Sequence, residues 1–189
     1  WAAAWLYIAT EDKAYLTDAM PYVDYYAPSG WAYCWNDVWS GALTLLGEID
    51  LAHPELDLQN MYRTIQGKTQ YEDADFWLQI EKAIQKWMTA YTTPGGYAFL
   101  NQWGSARYNT AMQYVTLVYD KYKNNGKPSS YSEWAKGQME YIMGDNPMDR
   151  CYIVGYNEKS AQYPHHRAAS GLTKCEDTGK HRYVLYGAL

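Results

Sequence analysis

A chain of 189 residues is long enough for one domain with a sizeable buried core. Its formal net charge is −5 and its 16 Lys and Arg form no basic run, which argues against a nucleic-acid partner. No apolar stretch approaches membrane-spanning length, and the opening WAAAWLYIAT lacks the basic head of a secretion signal. Aromatic usage is skewed, with 21 Tyr and 9 Trp beside only 2 Phe. Aromatics that keep a polar edge suit a carbohydrate cleft, and equally suit Tyr-rich packing between helices. Cys34, Cys151 and Cys175 include no C-x-x-C pair. Three buried thiols are therefore expected, with one disulfide as the alternative, rather than a structural zinc site.

Trp1, Ala4, Trp5 and Ile8 recur at helical spacing, so the chain opens inside a helix, as a fragment of a larger domain would. Asp12 predicts the cap of a second helix that buries Ala14, Tyr15, Ala19, Tyr22, Val23 and Tyr26 and ends near Pro28-Ser29-Gly30. Asn36-Asp37 opens a third, carrying Val38, Trp39, Ala42, Leu43, Leu46 and Ile49. A short helix is expected near Leu58–Ile65. The cleanest stripe is Phe76, Trp77, Ile80, Ala83, Ile84, Trp87, Met88 and Tyr91, which Thr93-Pro94-Gly95-Gly96 breaks. Beyond the loop Gly95–Gly104, Tyr108, Ala111, Met112, Val115, Val118, Tyr119 and Tyr122 predict another buried helical face. Asn124–Pro128 reads as an exposed turn, and Ser130-x-x-Glu133 as the capping box of a last long helix. Strand-like alternation is confined to Tyr152–Val154. The class is all-α.

Three stretches carry candidate chemistry. Gln102-Trp103-Gly104-Ser105-Ala106-Arg107-Tyr108 places a Trp beside a Gly at a loop-to-helix junction. Its indole face can stack on a sugar ring, or can simply anchor its own loop; Arg107 could equally be an ion-pair partner. Trp31-Ala-Tyr-Cys-Trp35-Asn36-Asp37 offers either Trp31 or Trp35 as a cleft aromatic. Asp37, at a helix start, reads as a cap or a favourable charge near the dipole. The long irregular segment from Met143-Gly144-Asp145-Asn146-Pro147 to Pro164-His165-His166-Arg167 carries an aromatic cluster of Tyr152, Tyr156 and Tyr163. Ordered loops of this length usually have a function. In an extended loop His165 and Arg167 share one side and His166 faces the other. The competing reading is a triplet that fastens the loop to backbone carbonyls.

In order and spacing these stretches resemble the family-nine glycoside hydrolases, inverting cellulases. Residues 143–147, Tyr152–Tyr156, Glu158 and 164–167 fill that family's M-G-D-N-P … P-H-H-R frame without a gap, with Cys151, Asn157 and Lys159 as departures from it. The resemblance implies part of an (α/α)6 helical-hairpin toroid and hydrolysis of β-1,4-glucan by a secreted enzyme, an endoglucanase. It places His165 and Arg167 beside the scissile bond, and Trp103, Tyr108 and either Trp31 or Trp35 in glucan subsites. Asp37 would help to hold a structural calcium in the intact parent; the chemistry itself needs no cofactor. Inversion requires two carboxylates across the cleft, one activating water and one protonating the leaving oxygen. The family carries them in D-A-G-D and N-E-V-A motifs, and neither string occurs in these residues. Residues 1–189 are accordingly expected to be one catalytic domain truncated at both ends, whose partners are the glucan and the missing remainder of that domain. An exo-acting cellodextrinase of the same family and a non-catalytic glucan-binding or structural protein are the alternatives.

Overall fold

The computed structural model describes residues 1–23, 32–67, 75–90, 92–174 and 179–189. Eight α-helices and no strand are present among them: α1 (Ala2–Thr10), α2 (Ala14–Ala19), α3 (Trp39–Ala52), α4 (Leu58–Gln66), α5 (Phe76–Ala90), α6 (Ser105–Lys123), α7 (Ser130–Met143) and the single turn α8 (Arg167–Ser170). The all-α expectation holds. Neighbours alternate between two rows, with α1, α3 and α6 side by side, α5 lying against both α3 and α6, and α7 against α6. That is the layout of consecutive helical hairpins.

The core is the seam between those rows. Phe76, Trp77, Ile80, Ala83, Ile84 and Trp87 of α5 are buried together with Leu43, Leu46 and Ile49 of α3 and Met112, Val115 and Tyr119 of α6. Close packing there is visible at Gly47, where a Cβ would come within 2.6 Å of the Trp77 indole. The Trp77 ring in turn meets Tyr119 edge-on at 6.1 Å and lies tilted 5.6 Å from Tyr122.

The helix expected at the start of the chain is present as α1; Ala4 and Tyr7 are buried on it, while Trp1, Trp5 and Ile8 are exposed. Other local expectations are corrected. Along α2 and the turn after it the buried pair is Leu16 and Met20, four residues apart, and Ala14 and Tyr22 are exposed. That helix is also shorter than its pattern, since Met20–Tyr22 tighten into a 3-10 turn around Pro21; Tyr26 and Pro28–Gly30 lie outside the described residues. The capping box of α7 sits one residue earlier than expected. Ser129 Oγ accepts from Tyr131 N at 3.0 Å, and Ser132 Oγ accepts from Ser129 N at 2.8 Å, so Ser132 fills the place assigned to Glu133. Residues 152–154 form no strand; Val154 instead exchanges backbone hydrogen bonds with Gly187 and Ala188.

Cys34 and Cys151 are buried free thiols, and Cys175 lies outside the described residues. No described helix is long and apolar enough to cross a membrane.

Candidate functional site

Two loops at one end of the helix rows form the site. The first, 92–104, is pinned by a buried polar network. Gln138 of α7 accepts from Ala98 N at 2.7 Å through Oε1 and donates to Gly96 O at 3.0 Å through Nε2. Asn109 of α6 donates to both Ala98 O and Gln138 Oε1, each at 2.9 Å, and accepts from Gln113 Nε2 at 2.6 Å. Burial away from water makes such bonds costly to leave unmade, so the network fixes the loop against two helices. At its far end the Asn101 side chain accepts from Trp103 N at 3.0 Å, turning the chain so that Trp103 stands 68 % exposed. A large indole held out by a loop with its own anchors is a contact surface, not core filler.

The second loop, 144–166, closes α7. Gly144, at φ 130°, ends the helix with its N–H on Glu140 O and Tyr141 O. Asn146 then ties the turn, donating to Tyr141 O and Arg150 O at 2.7 Å each and accepting from Met148 N at 3.1 Å. Lys159 forms an exposed ion pair with Asp149. Asn157 accepts from Lys159 N at 2.9 Å. Gly155 is required twice over: its φ is +74°, and a Cβ would fall 2.2 Å from the Tyr186 ring.

These loops bring Trp103 and His165 together, ring centroids 5.1 Å apart and nearly perpendicular. Their partners in sequence are 62 positions distant, so the fold, not the chain, makes this pair. His165 stands between two hollows. One, of about 260 Å³, is lined by His165, His166, Arg167, Ser170, Lys174 and His181. The other, of about 450 Å³, is lined by Tyr97, Phe99, Tyr141, Tyr152, Pro164 and His165, among others. In the second, Tyr97 stacks on Tyr141 at 4.8 Å and Tyr141 on Tyr152 at 6.4 Å. The Tyr97 hydroxyl has no hydrogen-bond partner there, and burial first, then Tyr141 and Tyr152, push its pKa up, so it stays protonated.

The expected aromatic cluster is therefore divided. Tyr152 joins the Tyr97–Tyr141 stack, Tyr163 meets His181 edge-on at 5.2 Å, and Tyr156 is exposed. The reason is the tight turn at Gly155, which breaks the extended run that would have aligned them. The His-His-Arg triplet also departs from the alternation expected of an extended loop. Arg167 begins the helical turn α8, so the alternation of an extended chain stops at His166, and all three side chains line the same hollow. His166 itself is a helix cap, its Nδ1 accepting from Ala169 N at 3.1 Å.

Further along the same rim, Trp35 is 78 % exposed and shares a hollow of about 300 Å³ with Trp1, Tyr33 and Arg107. Tyr108 is buried, with the Arg107 guanidinium 4.5 Å above its ring and hydrogen-bonded to its hydroxyl. Trp35, Trp103, Arg107, His165, His166 and Arg167 are exposed along this rim. Trp31 lies outside the described residues.

Asp37 lies one residue before Val38, the N-cap of α3; its carboxylate accepts from Trp39 N at 3.2 Å at the helix start, and its backbone pairs with Cys34. Among the described residues no group of three or more His, Cys, Asp or Glu could hold a metal ion. Asp37 alone does not make a calcium site; one would need further oxygen ligands.

The Asn109–Gln138 network and the capping role of His166 escape a sequence reading. Polar residues at buried helical positions look like a solvent face, although Gln138 falls in register with Trp134, Tyr141 and Ile142.

The sequence profile of glycosyl hydrolase family 9 matches residues 1–189. Endoglucanase A of Bacillus pumilus is 34 % identical over the whole chain, which spans 28 % of that protein. The catalytic domain of Clostridium thermocellum CelT superimposes with a TM-score of 0.93 at 53 % identity, covering all of this chain and 39 % of its own. The cellulase Cel9M of C. cellulolyticum, solved in complex with cellobiose, gives a TM-score of 0.74 at 35 % identity, again over the whole chain and 41 % of its own.

Proposed function

This chain belongs to glycosyl hydrolase family 9, and from that premise we propose that the full-length protein is a secreted endoglucanase that cleaves β-1,4-glucan, with cellulose as its substrate class. The observation that carries the reading is the Trp103–His165 contact, because it joins two separate motifs into one exposed rim of aromatic and hydrogen-bonding groups. Relatives called endoglucanases and a cellobiose-bound cellulase of like fold support the same substrate.

In this reading each rim residue has a task. The Trp103 face covers the apolar side of a glucose ring, a contact worth roughly 1–3 kcal/mol, and Trp35 does the same at another subsite. Arg167 presents a planar fork of donors to sugar hydroxyls or to a catalytic carboxylate. His165, held edge-on by Trp103, donates to or accepts from the sugar beside the scissile bond. Arg107 lies over Tyr108, so Tyr108 acts by setting the place of Arg107. Hydrolysis with inversion has one carboxylate take a proton from water as it attacks the anomeric carbon, while a carboxylic acid protonates the departing oxygen. Both come from parts of the catalytic domain outside this chain.

Those parts also cover the exposed apolar side. Trp1 at the cap of α1, Trp5 and Ile8 within it, and Tyr114 and Leu117 of α6 are exposed on two helices of the same row. Further helices of an (α/α)6 ring would bury them, so the remainder of the domain is a partner of this segment.

The test is to assay the full-length protein on carboxymethyl cellulose while following viscosity and reducing ends together. Viscosity should fall well before reducing ends accumulate, and the first-formed sugar should be the α-anomer by proton NMR. Cellobiose release without a viscosity drop would make it exo-acting; no release at all would leave a glucan-binding protein. Residues 1–189 alone should be inactive, since losing a general acid or base costs roughly 10²–10⁴-fold each.

A further inference from the structure

His166 occupies a position in the rim that its neighbours do not share. Its backbone is extended, at φ −144° and ψ 111°, and its ring accepts a hydrogen bond from Ala169 N at 3.1 Å. It is the N-cap of α8, whose first residue is Arg167. A helix of four residues has almost no stability of its own, because nucleation fixes several dihedrals for one hydrogen bond. Within the turn Ser170 Oγ donates to Arg167 O at 2.7 Å, and the rest of what holds α8 comes from outside it. At its C-terminal end, Tyr183 N and Arg182 N donate to Ala169 O and Ser170 O at 3.0 and 2.9 Å. Gly171 terminates it at φ +65°, where a Cβ would lie 2.7 Å from Arg182 Cβ. At its N-terminal end the His166 imidazole is a side-chain anchor.

We propose that His166 is a positioning residue for Arg167: its imidazole, as the tautomer with Nδ1 free to accept, caps α8 and so fixes where the guanidinium enters the hollow it shares with His165. This assignment rests on the reading of Arg167 as a sugar- or carboxylate-binding group. The cap requires Nδ1 to carry no proton, so the ring hydrogen is on Nε2. An Asn at 166 can supply an equivalent acceptor to the third helical N–H, and Ala cannot.

The experiment uses the full-length enzyme with His166→Ala, His166→Asn, Arg167→Ala and the His166→Ala/Arg167→Ala double variant. Turnover on a soluble cello-oligosaccharide is measured beside hydrogen exchange of the peptide spanning residues 167–170. His166→Ala should lower kcat/KM by about 5- to 30-fold and speed exchange at Ala169 and Ser170, while His166→Asn restores both. In the Arg167→Ala background, removing His166 should add less than about two-fold, because the two act through one group. Loss of turnover in a folded His166→Asn variant with slow exchange would overturn the proposal, since the imidazole would then act directly. Additive losses in the double variant would overturn it as well. Should His166→Ala fail to fold, His166→Asn decides alone: near-normal turnover supports the cap and lost turnover refutes it. Normal turnover in Arg167→Ala removes the site reading instead, and is told apart because exchange still shows whether His166 caps the turn.

Discussion

The helix seam and the loop rim are held by different forces. Between α3, α5 and α6 the contacts are apolar and dense, with Phe76, Ile80 and Ile84 almost wholly buried and Gly47 pressed against the Trp77 indole. At the rim, two loops are fixed by side-chain amides: Gln138 and Asn109 hold 92–104, and Asn146 holds the start of 144–166. Apolar packing is roughly proportional to area and tolerant of direction, whereas amide hydrogen bonds specify distance and angle. A glucan site needs an indole and a guanidinium at set places more than it needs extra stability. The rim is built from the interaction that supplies position.

Substitution should separate the two regions, and the largest loss belongs to the seam. Trp77→Ala removes a buried ring that touches Tyr119, Tyr122 and Gly47, and should cost the full-length protein about 3–5 kcal/mol. Urea denaturation measures it, and the molecules that remain folded should keep their specific activity. A loss under about 1 kcal/mol would mean the seam is looser than its contacts.

Gln138→Leu keeps the volume at 138 but leaves Ala98 N–H, Gly96 C=O and an Asn109 amide hydrogen short of partners. Unpaired buried groups cost roughly 1–3 kcal/mol each, partly relieved by relaxation, so about 2–3 kcal/mol in total is expected. Unlike Trp77→Ala, this change should also lower turnover per folded molecule, because the loop that ends in Trp103 loses its register. Equal Tm with unchanged turnover would show that the network is dispensable to the site.

A smaller effect concerns Asp120, buried in the last turn of α6. Burial disfavours its charge, but hydrogen bonds from Ser132, Ser129 and Asn124 outweigh that and hold the carboxyl below its usual range. A folded-state pKa depressed below the unfolded value gives stability that is complete above the unfolded pKa. It is lost as pH falls through the depressed, folded-state value. Stability of the wild type should therefore decline on the acid side below about pH 4, and Asp120→Asn should flatten that limb. An identical acid limb in the variant would assign it to other carboxylates.

The same division decides what can be read from sequence. Apolar periodicity marks α3, α5 and α6 because burial selects side chains every three or four residues, and the α5 stripe foretells Phe76 to Trp87 almost residue by residue. On α1 periodicity marks the helix but not its buried face: Trp5 and Ile8 are exposed, while Ala4 and Tyr7 are buried. The rim is legible as motif, so Trp103, His165 and Arg167 stand out. How it is held is not, because Gln138, Asn109 and His166 act through hydrogen bonds whose partners lie on other elements or in another backbone state. The division of Tyr152 from Tyr163 likewise depends on the turn at Gly155, a conformation that spacing does not encode.

In the proposed function Arg167 and its neighbours grip the sugar at the scissile bond. The most direct test is the turnover of Arg167→Ala in the full-length enzyme on a soluble cello-oligosaccharide, at a matched Tm. Charge-assisted hydrogen bonds of about 1.5–3 kcal/mol predict a ten- to hundred-fold fall, roughly, with poor rescue by Arg167→Lys, because a point charge does not replace a planar fork. Near-normal turnover in both variants would contradict the claim and leave the His-His-Arg triplet as a fastening of its own loop.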